Sequence, residues 1–369
     1  MGDSQEGAVL ERVDISVIPT PSEQIAFLQK IERLLSEGQF VASYKFALLR
    51  ALADLSVELG DDSGHALPIP ITAIAGEFVE LYWRQVRPFY EQGQILRQNT
   101  GQQAKIVQIV SRCISRYSGN LSQFQRNHED WNRTILEVAQ VIRLMPLWRL
   151  QVVGRRSDEF LYKHSESNES IILKGGVAFC FRRFYSMIRN MVEGSWINFI
   201  RSLNLYKLGE ALDLPEFLFG SARAPLSALQ PGLLEIQNGL CFYCSHPIGQ
   251  DSAIDHFIPW SRYPSDLGHN LVLADARCNR KKGNLLPAEA HLEKWLTRTH
   301  SFHGNLEDLF LEVNFPFEYP LSVAITRWAY AQTEEMNGCT WRRGDERELL
   351  TGQWRSLLGP EDTKNTTNQ

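Results

Sequence analysis

Between Cys241 and Asn284 the sequence CFYCSHPIGQDSAIDHFIPWSRYPSDLGHNLVLADARCNRKKGN gathers two kinds of residue able to do chemistry. Cys241 and Cys244 form a C-x-x-C pair, and Cys278 is a third thiol downstream. Thiolates favour zinc, and a closed zinc site has no open position for a reaction, so these residues point to a staple. Asp255, His256 and Asn279 offer something different. A neutral imidazole, with an unperturbed pKa of about 6.5, can take a proton from water, which makes His256 the candidate base. The carboxylate of Asp255 and the amide oxygen of Asn279 supply the sparse oxygen site that Mg2+ or Mn2+ accepts while keeping most of its waters. Neighbours in a strand point to opposite faces, so Asp255 and His256 can reach one centre only where the strand ends or bulges. Pro259 and Pro264 place such an end just after them. Lys281 and Lys282, on a short helix past Asn279, are candidates to hold a substrate phosphate.

At these residues the sequence resembles the HNH nucleases, over about 235–295. Four spacings carry the resemblance: Asp255-His256 followed by x-x-Pro259, Asn270 before a Leu-Val-Leu strand, Cys278-Asn279 nine residues on, and Lys281-Lys282-Gly283 after that. The resemblance implies a β-hairpin packed on a helix around one catalytic metal, with His256 as general base. It gives Asn270 the part of bracing the metal loop through backbone contacts. Asn279 stands where many members have a last His, as it does in the HNH domain of RNA-guided CRISPR nucleases. An Asp/Asn pair favours magnesium or manganese, whereas a His-rich site would favour zinc or nickel. Zinc-carrying members have a second C-x-x-C, and here it reads Asp275-x-x-Cys278. Asp is an acceptable zinc ligand, so Cys241, Cys244, Asp275 and Cys278 are the expected structural set, with His246 as the rival fourth ligand. The implied activity is metal-dependent hydrolysis of DNA, in a restriction or phage-defence effector. Two other readings stay open: a non-catalytic zinc adaptor for nucleic acid or protein, and an RNA nuclease.

The elements that must position these residues are mostly helical. The chain has 369 residues, 43% of them hydrophobic and 22% charged, ordinary for a folded protein of two or three domains. No apolar run approaches the roughly 18 residues of a membrane span. With no secretory pattern at the start and isolated cysteines outside the module, the cytoplasm is the expected compartment. The net charge of −5 is unevenly spread. Residues 1–82 carry 5 basic against 13 acidic side chains, and residues 83–201 carry 18 against 9. Phosphate neutralisation dominates DNA affinity, so the basic middle, with Arg182, Arg183 and Arg189, is the expected grip. The acidic helical end is the expected face for protein partners.

In order, 1–19 reads as a flexible leader and 20–146 as a helical domain opened by a Thr20-Pro21-Ser22-Glu23 cap. Residues 147–225 form a mixed basic segment with a small sheet at 147–174 and a linker at 212–225. The nuclease-like module spans 226–300, a helical region at 301–357 packs back on it, and 358–369 is a disordered tail. His291, His300 and His303 lie outside the motif and are expected at the surface. The fold class is α+β, mostly α, ending in a ββα-metal module.

Overall fold

A computed structural model of the chain describes residues 18–89, 93–153, 156–163, 169–208, 213–220, 226–249 and 251–359. All but two residues of the expected leader, all but two of the expected tail, and both ends of the expected linker lie outside the described residues.

The first helix, Pro21–Glu37, starts at a capping box: Thr20 accepts from the Glu23 amide at 3.4 Å, and the Thr20 amide donates to the Glu23 carboxylate at 2.8 Å. The next helix, Tyr44–Leu59, buries every side chain from Tyr44 to Val57 and is the axis of the N-terminal core. A helix enclosed all round must pair its charges internally. Arg50 therefore bonds Asp54 at 2.8 Å and also meets Glu193, while the Tyr185 hydroxyl donates to Asp54 at 2.6 Å. Helices Ile71–Gln85, Val177–Arg183, Tyr185–Leu203 and Tyr319–Glu335 pack against it, and Lys105–Arg116 and His128–Leu144 pack on Ile71–Gln85. The strand character expected at 147–174 resolves into Val152–Val153 paired with Arg156–Ser157, and Ser170–Leu173 paired antiparallel with Leu67–Pro70.

The C-terminal module centres on two strands, Ser252–His256 and Leu271–Asp275, paired antiparallel with Asp255 opposite Val272 and His256 opposite Leu271. The second strand is buried on both faces. Leu271 and Leu273 join a cluster with Leu229, Leu233, Leu306 and Phe310, whereas Val272 and Ala274 join the main core. The region after 301 departs from the expected all-helical reading: Cys339–Arg343 and Glu346–Leu349 form a hairpin. It docks through its Trp341, whose amide donates to Leu286 O at 2.7 Å. Among the described residues no helix is long and apolar enough to cross a membrane.

The expected arginine grip needs correction. Arg182 is 2% exposed, grips Asp62 through two nitrogens at 2.7 and 3.2 Å, and donates to the carbonyls of Ser56, Val57 and Gly60. It caps the end of the Tyr44–Leu59 helix from inside and cannot reach a phosphate. Arg189 bonds Glu193 at 2.8 Å and Arg183 pairs with Glu335, so both are committed to structural carboxylates.

The two halves meet at a seam of aromatic rings and carboxyls. Tyr263 stacks on Tyr185 at 5.4 Å and donates its hydroxyl to Glu58 at 2.5 Å, and Trp328 donates to Arg182 O at 3.2 Å. Burial pushes the Glu58 carboxyl from its ordinary 4.5 up to about 8; the Tyr263 hydrogen bond opposes this, and Asp54, Glu80 and Glu318 add like charge. A pKa raised by folding gives stability that is complete below about pH 4.5 and lost as pH rises through about 8. The thermal midpoint is therefore expected to fall between pH 6 and 9 in the parent and to fall less steeply in Glu58→Gln, which still accepts from Tyr263. Parallel pH profiles for the two proteins would contradict this account of the seam.

Candidate active site and metal-binding residues

The strand Ser252–His256 ends at His256, and that ending lets Asp255 and His256 line the same open groove of about 420 Å³. Asn279 and Arg280 line it from the following helix, Ala276–Lys282, and Pro259, Trp260 and Asp266 from the loop. The side chain of Asn279 makes no hydrogen bond among the described residues and is free for a ligand. The sequence brought Asp255, His256 and Asn279 together as one site, and the fold places all three on one surface.

His256 Nε2 lies 2.8 Å from Asp266 Oδ1. A carboxylate only accepts, so Nε2 carries the proton and the lone pair of the neutral ring sits on Nδ1. The edge of Trp260 packs on the imidazole at 5.5 Å between ring centres, which limits its rotation further. Asn270 lies outside the groove and works on the backbone. Its amide accepts from Ile258 N at 2.7 Å and donates to Ile258 O at 3.0 Å, while its carbonyl accepts from Phe257 N at 2.7 Å. Three bonds from one residue thus fix the chain leaving His256.

Asp255 is held through a single oxygen. Oδ2 accepts from the Tyr243 hydroxyl at 2.5 Å and pairs with Lys282 Nζ at 2.8 Å, leaving Oδ1 without a partner among the described residues. The same ammonium donates to His256 O at 2.8 Å and is 1% exposed. Burial lowers the Lys282 pKa and the Asp255 carboxylate opposes that shift. Lys282 is accordingly an internal strut, not the phosphate ligand read from its spacing. Lys281 is at the surface, paired with Asp345 at 2.6 Å, and Arg280 is the exposed cation that lines the groove.

The thiols form a separate group. The sulfurs of Cys241, Cys244 and Cys278 lie within 4.8 Å of one another. Burial raises the Cys241 thiol pKa, but the backbone amides of Cys244, Asp275 and Tyr243 outweigh it, and the net shift is downward. Cys278 is pushed up by burial and by the charge on Cys241. Three sulfurs this close cannot all ionise without a cation among them, which is the donor chemistry that suits Zn2+. Neither proposed fourth ligand joins the group. The Asp275 carboxylate accepts from Arg277 N at 2.8 Å as the N-cap of the helix, and its amide donates to Cys241 Sγ at 3.3 Å. His246 is exposed, and its carbonyl accepts from Cys241 N at 2.8 Å to close the turn.

Sequence reasoning missed Asp266, Tyr243, Arg280 and Trp260. Tyr243 sits inside the C-x-x-C pair, where nothing but the fold says it meets Asp255. Asp266 lies in a loop with no spacing that would mark it. The turn Gly268–Asn270 was read only for its Asn270, yet its His269 is fully enclosed. Burial, then Arg298 and His303, push the His269 pKa down to about 4.

Two family models match the chain. Residues 241–288 match the HNH endonuclease model, which begins at Cys241 and takes in the hairpin, the groove residues and the thiols. Residues 24–214 match the domain of unknown function DUF8808, more than half of the chain. The comparison with curated proteins returned no match. The chain belongs to the DUF8808 family and carries an HNH endonuclease module at 241–288.

Proposed function

We propose that the chain is a metal-dependent endonuclease that hydrolyses DNA in the groove beside His256. The observation that carries this is the pairing of His256 Nε2 with Asp266 in the groove that Asp255 and Asn279 also line. An inert zinc hairpin needs the thiols but has no use for an imidazole held in one tautomer beside two free oxygen donors. Asp266 keeps the Nε2 proton in place, and His256 Nδ1 takes a proton from water as the water attacks phosphorus; the ester P–O bond opposite breaks, and the departing sugar oxygen takes a proton from solvent. Asp255 Oδ1 and the Asn279 amide oxygen would hold Mg2+ or Mn2+. When bound, that ion supplies Lewis-acid stabilisation of charge building on the phosphate oxygens. Arg280 and Lys281 are the side chains proposed to meet the flanking phosphates. Cys241, Cys244 and Cys278 hold Zn2+ as a structural staple. DNA as substrate, and a place in restriction or phage defence with protein partners, are carried by the family resemblance alone.

Incubating the purified chain with plasmid and Mg2+ tests the reading. His256→Ala should slow cleavage by at least ~100-fold with DNA binding unchanged. Asp266→Asn should slow it by more than ~10-fold, as when an orienting carboxylate is removed from a catalytic imidazole. Cleavage of RNA in place of DNA would move the substrate. Binding without cleavage in either metal would favour the adaptor reading.

Metal analysis separates the two centres. Cys241→Ser should lose zinc and thermal stability, while Asp255→Ala should keep its zinc, lose cleavage and unfold at a lower midpoint because it leaves the buried Lys282 ammonium without its partner. Asp275→Ala should keep its zinc too, because that carboxylate caps the helix; the lost cap should cost about 1 kcal/mol. Zinc lost from Asp275→Ala would show that the carboxylate swings onto the metal.

A further inference from the structure

We propose that His269, His303 and Glu307 form a second metal site, built for a nitrogen-preferring divalent ion such as Zn2+, which clamps the helix His303–Glu312 to the turn Gly268–Asn270. One ring nitrogen from each histidine and one carboxylate oxygen lie within 4.8 Å of one another. Tetrahedral zinc, with ligand bonds of about 2.0–2.2 Å, sets its donors roughly 3.4 Å apart, so modest rotation of two surface side chains closes the set. His303 Nε2 is already 3.5 Å from Glu307 Oε1, the two being one helical turn apart on a single face. Those side chains are 51% and 37% exposed and free to move, whereas His269 is fully buried.

The buried partner marks the site. Neither His269 Nδ1 nor Nε2 has a hydrogen-bond partner, an exceptional state for an enclosed imidazole. Phe310, Phe317 and Tyr319 wall the ring in, with centres 5.4, 6.0 and 5.4 Å away, and offer it no acceptor in compensation. The turn cannot relax to find one. A Cβ on Gly268 would lie 2.6 Å from the Phe310 ring, and Gly268 N is bonded to Pro316 O at 2.9 Å. His269 O is occupied by Trp295 Nε1 at 2.8 Å and Arg298 NH2 at 3.2 Å. A neutral imidazole held with its one nitrogen lone pair unused, beside a second imidazole and a carboxylate, suits zinc, nickel or cobalt better than magnesium. The nearby Arg298 guanidinium opposes a cation, and the Glu307 carboxylate offsets it. With three protein donors, a water completes the coordination, as in other zinc sites built from two histidines and one carboxylate. The clamp would hold the turn that delivers Asn270 to the Ile258 backbone.

The full-length chain, equilibrated with Zn2+ and freed of excess, is the test material. The parent should hold two zinc ions, one on the thiols and one here, and added zinc should raise its thermal midpoint. His303→Ala, a change at a half-exposed position, should hold one zinc, on the thiols, unfold below the zinc-loaded parent and keep only the part of the zinc-dependent rise that the thiol site supplies. Glu307→Gln should bind the second ion at least ~10-fold more weakly. Equal zinc content and an equal rise in parent and His303→Ala would overturn the proposal, as would one zinc in both, leaving His269 satisfied by water alone. No readout involves cleavage, so failure here is distinguishable from failure of the nuclease reading.

Discussion

A buried ammonium organises the HNH module of the molecule. Lys282 Nζ, enclosed at the end of a seven-residue helix, pairs with Asp255 and donates to His256 O. A charge so deep persists only when paired, and removing one partner strands the other. A helix that short has little stability of its own. It is held by the Asp275 cap at its start, Gly283 at φ 53° after its end, and this ion pair in between. One contact therefore sets the distance between the strand that carries Asp255 and His256 and the helix that carries Asn279. It also offsets the charge of Asp255, one of the two carboxylates that line the groove with Asp266.

The rest of the fold supports that knot from three sides. Asn270 fixes the backbone beyond His256, and Tyr243, reaching over from the thiol turn, fixes Asp255. Tyr243 is itself wedged edge-on against Trp341 of the late hairpin at 5.2 Å. Folding of the thiol turn, the hairpin and the site is thus coupled through one phenol. The helical half joins through Tyr263, which leaves the same loop as His256 and ends on Glu58, so the DUF8808 region braces the nuclease module directly.

Part of what the sequence disclosed was local. The strand end at Asp255-His256 and the Thr20 cap follow from neighbours within a few residues, whereas the third thiol, Cys278, and the Asn270 contact with Ile258 join residues 34 and 12 positions apart. The misreadings share a cause: residue type and spacing do not say which way a side chain faces. Lys281 and Lys282 are identical neighbours, but a 100° step around the helix sends one to solvent and one to the core. Asp275 stands before a helix, where an aspartate is equally apt as cap or as ligand, and in the structure it accepts from the Arg277 amide as the cap. Arg182 looked like surface charge and is a carbonyl cap, because its partners lie about 120 residues away in sequence. The hairpin at 339–349 hid its alternation under a run of charges, although Gly344 at φ 50° marks its turn.

Since Lys282 offsets Asp255, the site is proposed to be completed by its substrate: a phosphodiester brings further negative charge. Calorimetric titration of the full-length chain with Mg2+, alone and with an uncleavable DNA analogue, tests this most directly. The account predicts millimolar or weaker binding to the protein alone and at least ~10-fold tighter binding with the analogue, the gain vanishing in Asp255→Ala. Tight binding to the free protein, unaffected by the analogue, would contradict it.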